Sequence, residues 1–192
     1  MLAQIILFVL DTVCGFLTLA LLVRFAMQWA RAPFRNPLGQ FIVAVTDWMV
    51  RPLRRLIPGL FGLDTASLLL AWLWQVVYQG IALGFSGVLL AVSPAPALVV
   101  AALAALEIMK VSLYLVMGAV VVSAVFSWVN PYAPLADVFN MLSRPLLRPF
   151  RRVIPPIGGV DLSPLALLLV LQIGLFVIAS LRNSVLPLML LS

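Results

Sequence analysis

With 192 residues, 65% of them hydrophobic and 9% charged, and a mean hydropathy of +1.21, the chain has too little polar surface to coat a soluble globule. The net charge is +6, and the absence of histidine removes the commonest metal ligand and general base. The six acids stand singly and the one cysteine, Cys14, sits in an apolar run, so neither a nucleophile with its base nor a metal cluster is visible, and no enzyme or cofactor is expected.

The apolar segments are solid runs of about 20 residues or more, which describes helices and not the alternating strands of a membrane barrel. The first extends from Leu2 to Ala30 and carries Asp11 and Arg24. No Lys or Arg precedes Arg24 and no small-residue cleavage site stands out, so this helix is expected to stay in the mature protein. Arg24 lies seven residues before Arg31, about 10 Å along a helix. It is expected to snorkel to the interface, the alternative being an internal partner.

From Pro33 to Pro58 prolines and arginines replace the apolar run. Leu38, Phe41, Ile42, Val45, Trp48 and Met49 fall at helical spacing with Gln40, Ala44, Asp47 and Arg51 opposite, the pattern of an amphipathic helix in the membrane interface. Pro52 is expected to stop or kink it, with a short turn through the arginines ending at Pro58 and Gly59. A second span follows Asp64, from about Thr65 to Leu90, with Gln75 and Gln79 on one face and Gly80 and Gly84 spaced for close helix approach. Ser93-Pro94-Ala95-Pro96 breaks the chain.

The run from Ala97 to Val129 is about 50 Å if wholly helical, longer than a bilayer core. Glu107 and Lys110 mark the entry to a third span over 108–128, leaving 97–106 as an interfacial or protruding extension, or alternatively a fifth short segment. Ala119, Ser123 and Ser127 form a small-residue packing stripe. After Asn130-Pro131 a second amphipathic pattern appears, with Leu135, Val138, Phe139, Leu142 and Leu146 facing one way and Asp137, Asn140 and Arg144 the other. The fourth span runs from Ser163-Pro164 to about Leu186 and contains Gln172.

The second half repeats the first. Arg51-Pro52-Leu53-Arg54-Arg55-Leu56-Ile57-Pro58, Asp64 and Gln75 return at an offset of 97 as Arg148-Pro149-Phe150-Arg151-Arg152-Val153-Ile154-Pro155, Asp161 and Gln172, with 11 of 25 positions identical between 51 and 75. The chain is an internal duplication. The fold class is therefore an all-α integral membrane protein of two parallel repeats, each span, interfacial amphipathic helix, span, about four transmembrane helices in all. The repeats are placed at 1–92 and 107–192, with 93–106 between them. Nine of the 12 basic residues lie in 31–55 and 144–152, which puts both arginine motifs on the cytoplasmic side of an inner membrane and both chain ends outside.

The strings Ser127-Trp128-Val129-Asn130-Pro131, Pro134-Leu135, Arg144 through Pro155 and Gly158-Gly159-Val160-Asp161-Leu162-Ser163-Pro164 resemble the YGGT family of small membrane proteins. Gln28-Trp29 and Asn36-Pro37-Leu38 carry the likeness into the first half. Two copies in one chain is the proteobacterial pattern. The resemblance implies association with osmotic tolerance or cell-division neighbourhoods, and in plastids with nucleoid distribution and cytochrome assembly, without one agreed molecular activity. Gly59-Leu60 stands where the second copy has Pro156-Ile157, so a symmetric site is only approximate.

Three functional readings follow. Arg51, Arg54, Arg55, Arg148, Arg151 and Arg152 are candidates to hold anionic phospholipid head groups or an acidic membrane or cytoplasmic partner in a scaffold or assembly factor, each gaining about 1 kcal/mol near an anionic leaflet, unless they only set topology. The second reading is a small-solute or ion transporter or channel, which with four spans requires a homo-oligomer. The third, an enzyme, lacks its residues, and nothing points to direct nucleic-acid contact. Structurally, Asp64 is expected to pair with Arg54 or Arg55, and Asp161 with Arg151 or Arg152, with helix capping compatible with either. Gln75 and Gln172 are expected to face protein. Lys110 has two partners open to it, Asp11 across the repeats or Glu107 three residues earlier, and Asp11 can otherwise remain solvated.

Overall fold

The computed structural model describes residues 1–57, 63–85, 95–130, 132, 133, 135–154 and 161–185. It contains six helices in chain order among those residues: α1 (Leu2–Trp29), α2 (Pro37–Leu56), α3 (Thr65–Phe85), α4 (Ala95–Val129), α5 (Ala136–Val153) and α6 (Ser163–Val185). Four are long and apolar enough to cross a membrane, namely α1, α3, the 97–127 stretch of α4, and α6. The other two are the amphipathic helices, so each repeat is a span, an interfacial helix and a span. The Pro58-Gly59 ending, the Ser93-Pro94 break and the Gly158-Gly159 pair of the second motif lie outside the described residues.

Local chemistry sets the helix ends. Beyond Trp29 the backbone turns through Arg31 at φ 54°, while the Ala32 N–H donates to the Met27 carbonyl at 2.8 Å, closing α1 with a left-handed cap in which an arginine takes the usual glycine's place. α2 opens on Asn36, whose side chain accepts from the Gly39 N–H at 2.8 Å, with Pro37 in the first turn. Gly39 is required there, because a Cβ would stand 2.7 Å from the Phe34 carbonyl oxygen.

The expected stop at Pro52 does not occur. α2 runs unbroken from Pro37 to Leu56, and α5 likewise carries Pro145 and Pro149 inside it. All three prolines are exposed, so the backbone hydrogen bond that each removes is not lost from the buried core. The apolar arc of α2 is also divided. Ile42, Met49 and Val50 are buried against the bundle, whereas Phe41 and Trp48 are exposed on its flank.

Residues 97–106 are the first turns of α4, not a separate short segment. Val99, Val100 and Leu103 pack with Val76 and Leu83 of α3 and Val185 of α6, so this extension has its own apolar support. The 35 residues of α4 span about 52 Å.

Within the first repeat the closest packing is α1 on α3; within the second, α4 meets α5 and α6; α3 and α4 join the halves. Met27 and Ala32 at the end of α1 share a core with Ala119 of α4 and Val138 and Leu142 of α5, so both interfacial helices lie at the same end of the bundle. Gly80 does not mediate close approach: nothing stands within 4 Å of a Cβ placed there. The contact stripe of α3 is instead Ser67, Ala71, Gln75 and Gln79, all buried.

Candidate functional site

The arginine end of the first repeat is built around a residue expected to reach the interface. Arg24 is only 5% exposed, inside α1. Its Nη1 lies 2.8 Å from Asp47 Oδ1 and donates to Thr46 Oγ1 at 2.7 Å, and its Nε lies 3.3 Å from Asp64 Oδ2. Asp64 in turn accepts from Arg54 Nε at 3.1 Å and from the Ser67 hydroxyl at 2.6 Å, while Asp47 pairs with Arg51 at 2.7 Å. Snorkelling fails because α2 folds back over the end of α1 and presents the Asp47 carboxylate and the Thr46 hydroxyl, while Asp64 at the start of α3 adds a second carboxylate, before the guanidinium could reach water. A charge held in apolar surroundings keeps its ionised form only with such partners.

Burial pushes the Asp64 carboxyl upward, but the hydrogen bonds from Arg54 and Ser67 outweigh it and hold the group below the usual carboxylate range. The same contact raises Arg54 above its ordinary value. In the second repeat Arg151 Nε lies 2.8 Å from Asp161 Oδ2, and the Ser163 N–H donates to Asp161 at 2.9 Å. Asp161 is also held low: burial raises it, and Ser163 and Arg151 more than reverse that. Of the alternatives left open by spacing, the pairings formed are thus those ten residues apart, Arg54 with Asp64 and Arg151 with Asp161. Arg55, Arg148 and Arg152 are exposed, and no ion pair joins them to a described residue.

Deeper in the bundle Gln75 is buried and donates to Thr18 Oγ1 of α1 at 3.0 Å. Gln172 corrects the expectation made for both glutamines, since it is exposed on the outer face of α6. The reason lies in the partner helix: the position of α4 matching Thr18 is Met117, which offers an amide nothing, and α6 buries Leu167 and Leu171 instead.

At the opposite end Lys110 pairs with Glu107 at 2.5 Å, and Arg182 of α6 reaches the other Glu107 oxygen at 3.3 Å. The cross-repeat pair does not form. Asp11 instead lies beside Tyr78 of α3. Among the described residues no three His, Cys, Asp or Glu side chains stand close enough to hold a metal ion.

Comparison with known proteins accords with this duplicated framework. The family described as CCB3/YggT matches twice, over residues 3–85 and 102–182. The chain belongs to the CCB3/YggT family. It is similar to the uncharacterized protein YggT of Escherichia coli K12, 39% identical over 167 residues that cover 86% of this chain and 85% of that one. It is equally similar, 39% over 173 residues, to an uncharacterized protein of Pseudomonas aeruginosa, covering 86% and 84% of the two chains. A Vibrio alginolyticus protein encoded in the proC 3′ region is 34% identical over 182 residues, covering 93% and 95%. No solved structure matches the chain. With four apolar helices and bacterial CCB3/YggT relatives, this is a multi-pass bacterial inner-membrane protein.

In the sequence of this CCB3/YggT chain an internal partner for Arg24 is only the alternative to snorkelling, and Asp47 and Arg182 go unrecognised as network members. One signal was available: a lone arginine within an apolar run, in a half whose motif end carries only two acids, Asp47 and Asp64, has few other ways to be neutralised.

Proposed function

We propose that the protein is a membrane scaffold or assembly factor whose paired interfacial helices gather anionic head groups, or an acidic partner, at the cytoplasmic face. The observation that carries this reading is the exposure of Arg55, Arg148 and Arg152, with no ion pair to a described residue, on two helices held at one end of the bundle. The internal pairs consume Arg24, Arg51, Arg54 and Arg151, and what remains is a set of outward cations on both helices that no described ion pair uses. An envelope-stress role, as in osmotic tolerance, fits such a scaffold. The test is site-specific photo-cross-linking from the exposed positions 48 and 145, two turns before Arg55 and Arg152, in cells, beside a variant with Arg55, Arg148 and Arg152 changed to Gln. A discrete adduct or an anionic-lipid shell lost in the variant supports the reading, and identical patterns in both refute it.

A second reading, a small-solute or ion transporter working as an oligomer, is favoured by the exposed Gln172 amide, which a second copy would cover. Solute flux in proteoliposomes that scales with oligomer content would support it.

A further inference from the structure

The duplication lets one half of the molecule report on the other. An offset of 97 pairs Thr46 with Ser143, Asp47 with Arg144, Arg54 with Arg151 and Asp64 with Asp161, while the spans match at 99, pairing Arg24 with Ser123. The correspondence holds in space: Arg24 donates to Thr46 at 2.7 Å, and Ser143 donates to Ser123 at 3.3 Å.

In the first repeat the Arg24 side chain fills the room between α1, α2 and the start of α3. A serine stands there in the second, and the room is open. A cleft of about 480 Å³ is lined by Ser123, Asp137, Asn140, Ser143, Arg144 and Arg151 among others. Through Ser123, Asn140, Leu147 and Arg151 it shares walls with a further cavity of about 400 Å³ that extends to Asp161 and Leu165.

The charges of this cleft are not all cancelled internally. Arg151 is matched by Asp161, but Arg144 and Asp137 have no ion-pair partner among the described residues. They stand seven residues apart on α5, two turns and about 10 Å. Between them Asn140 accepts from Ser123 at 2.6 Å, and among the described residues no hydrogen bond takes up its NH₂. A cation and an anion two turns apart, with amide and hydroxyl groups between, suit a ligand that carries a phosphate and an ammonium joined by a short linker. A guanidinium grips a phosphate through paired N–H donors, and a carboxylate receives the ammonium. The cleft lies along an amphipathic interfacial helix, the depth at which phospholipid head groups sit. Leu147 and Leu165 supply apolar wall, and a separate apolar groove of about 150 Å³ lies along the same helix at Leu142 and Leu146.

We propose that the second repeat binds the head group of one amine-bearing phospholipid, with the phosphate on Arg144 and the ammonium toward Asp137, in the place that Arg24 occupies in the first repeat. The site uses residues other than the outward arginines Arg55, Arg148 and Arg152, and it selects a zwitterionic lipid where they attract anionic ones, so the two proposals stand or fall separately.

The test is native mass spectrometry of the full chain released from nanodiscs of equimolar dioleoyl phosphatidylethanolamine and dioleoyl phosphatidylglycerol. The wild type is expected to retain one phosphatidylethanolamine per chain. The variant S123R/R144D, which transplants the first repeat's own filling, is expected to retain at least tenfold less with its thermal unfolding intact; Arg144→Gln, on an exposed position, repeats the test should the double variant fail to fold. Asp137→Asn is expected to abolish the preference over phosphatidylglycerol. Equal lipid retention by wild type and Arg144→Gln would overturn the proposal, as would wild-type retention of both lipids alike. Stabilisation by soluble glycerophosphoethanolamine with no lipid retained would overturn the assignment to a lipid.

Discussion

Arg24 and Asp64, forty residues apart, meet at 3.3 Å and tie the inner end of α1 to the first turn of α3. Asp64 is 2% exposed and Arg24 is 5% exposed, so neither charge can turn to water if the other is removed. Replacing Arg24 by Met should therefore destabilise the protein by about 3 kcal/mol, the low end of the cost of breaking a buried ion pair, because Asp64 keeps Arg54 and Asp47 keeps Arg51. The triple variant R24M/D47N/D64N should recover much of that loss, because the charges left unpaired, on Arg51 and Arg54, are exposed and not buried. Unfolding curves in detergent, compared across the single and triple variants, check both statements.

Acid should loosen the same corner. Asp64 has a folded pKa below its unfolded value, so its contribution to stability is fully present above the unfolded pKa, about 4, and is lost as pH falls through the lower folded value. Between pH 6 and pH 4 the midpoint of thermal unfolding should thus change little on account of Asp64, with the fall coming below pH 4. Asp64→Asn should remove part of that acid-side slope while lowering stability at neutral pH. A slope unaltered by the substitution would show that Asp64 carries no linkage.

Two glycines make opposite predictions. At Gly39 a Cβ meets the Phe34 backbone at 2.7–2.9 Å, and backbone cannot swing aside as a side chain can. Gly39→Ala should cost about 1–3 kcal/mol. At Gly80 the space is open, so Gly80→Ala should be neutral or stabilising by about 0.5–1 kcal/mol through helix propensity. Thermal unfolding of the two variants side by side decides the matter.

The two glutamines should also separate. Gln75→Leu strands the buried Thr18 hydroxyl and should cost about 1–3 kcal/mol, whereas Gln172→Leu exchanges an exposed amide for an apolar group and should not lower stability in the isolated chain. If Gln172→Leu instead weakened the protein only at high concentration in the membrane, the oligomeric reading would gain. Unfolding and in-membrane association measured on both variants give the answer.

The amino-acid order alone determined the class, the duplication, the four spans, the two interfacial helices and the spacing that sets Asp64 near Arg54 or Arg55 and Asp161 near Arg151 or Arg152. These follow from composition, from periodicity and from a repeat that is visible without coordinates, since each depends on residues close together in the chain or on identity between the copies. Only the tertiary structure decided that Arg24 is buried on Asp47 and Asp64, that Glu107 is shared by Lys110 and Arg182, and that Gln172 turns outward while Gln75 turns in. Each of these depends on what a neighbouring helix presents at one height: Thr18 beside Gln75 but Met117 in the matching place, carboxylates around Arg24 but an open cleft around Ser123. Repeats that share a pattern share backbone geometry, yet the partner of each polar group comes from residues at which the copies differ, and those contacts are made only when the helices are side by side.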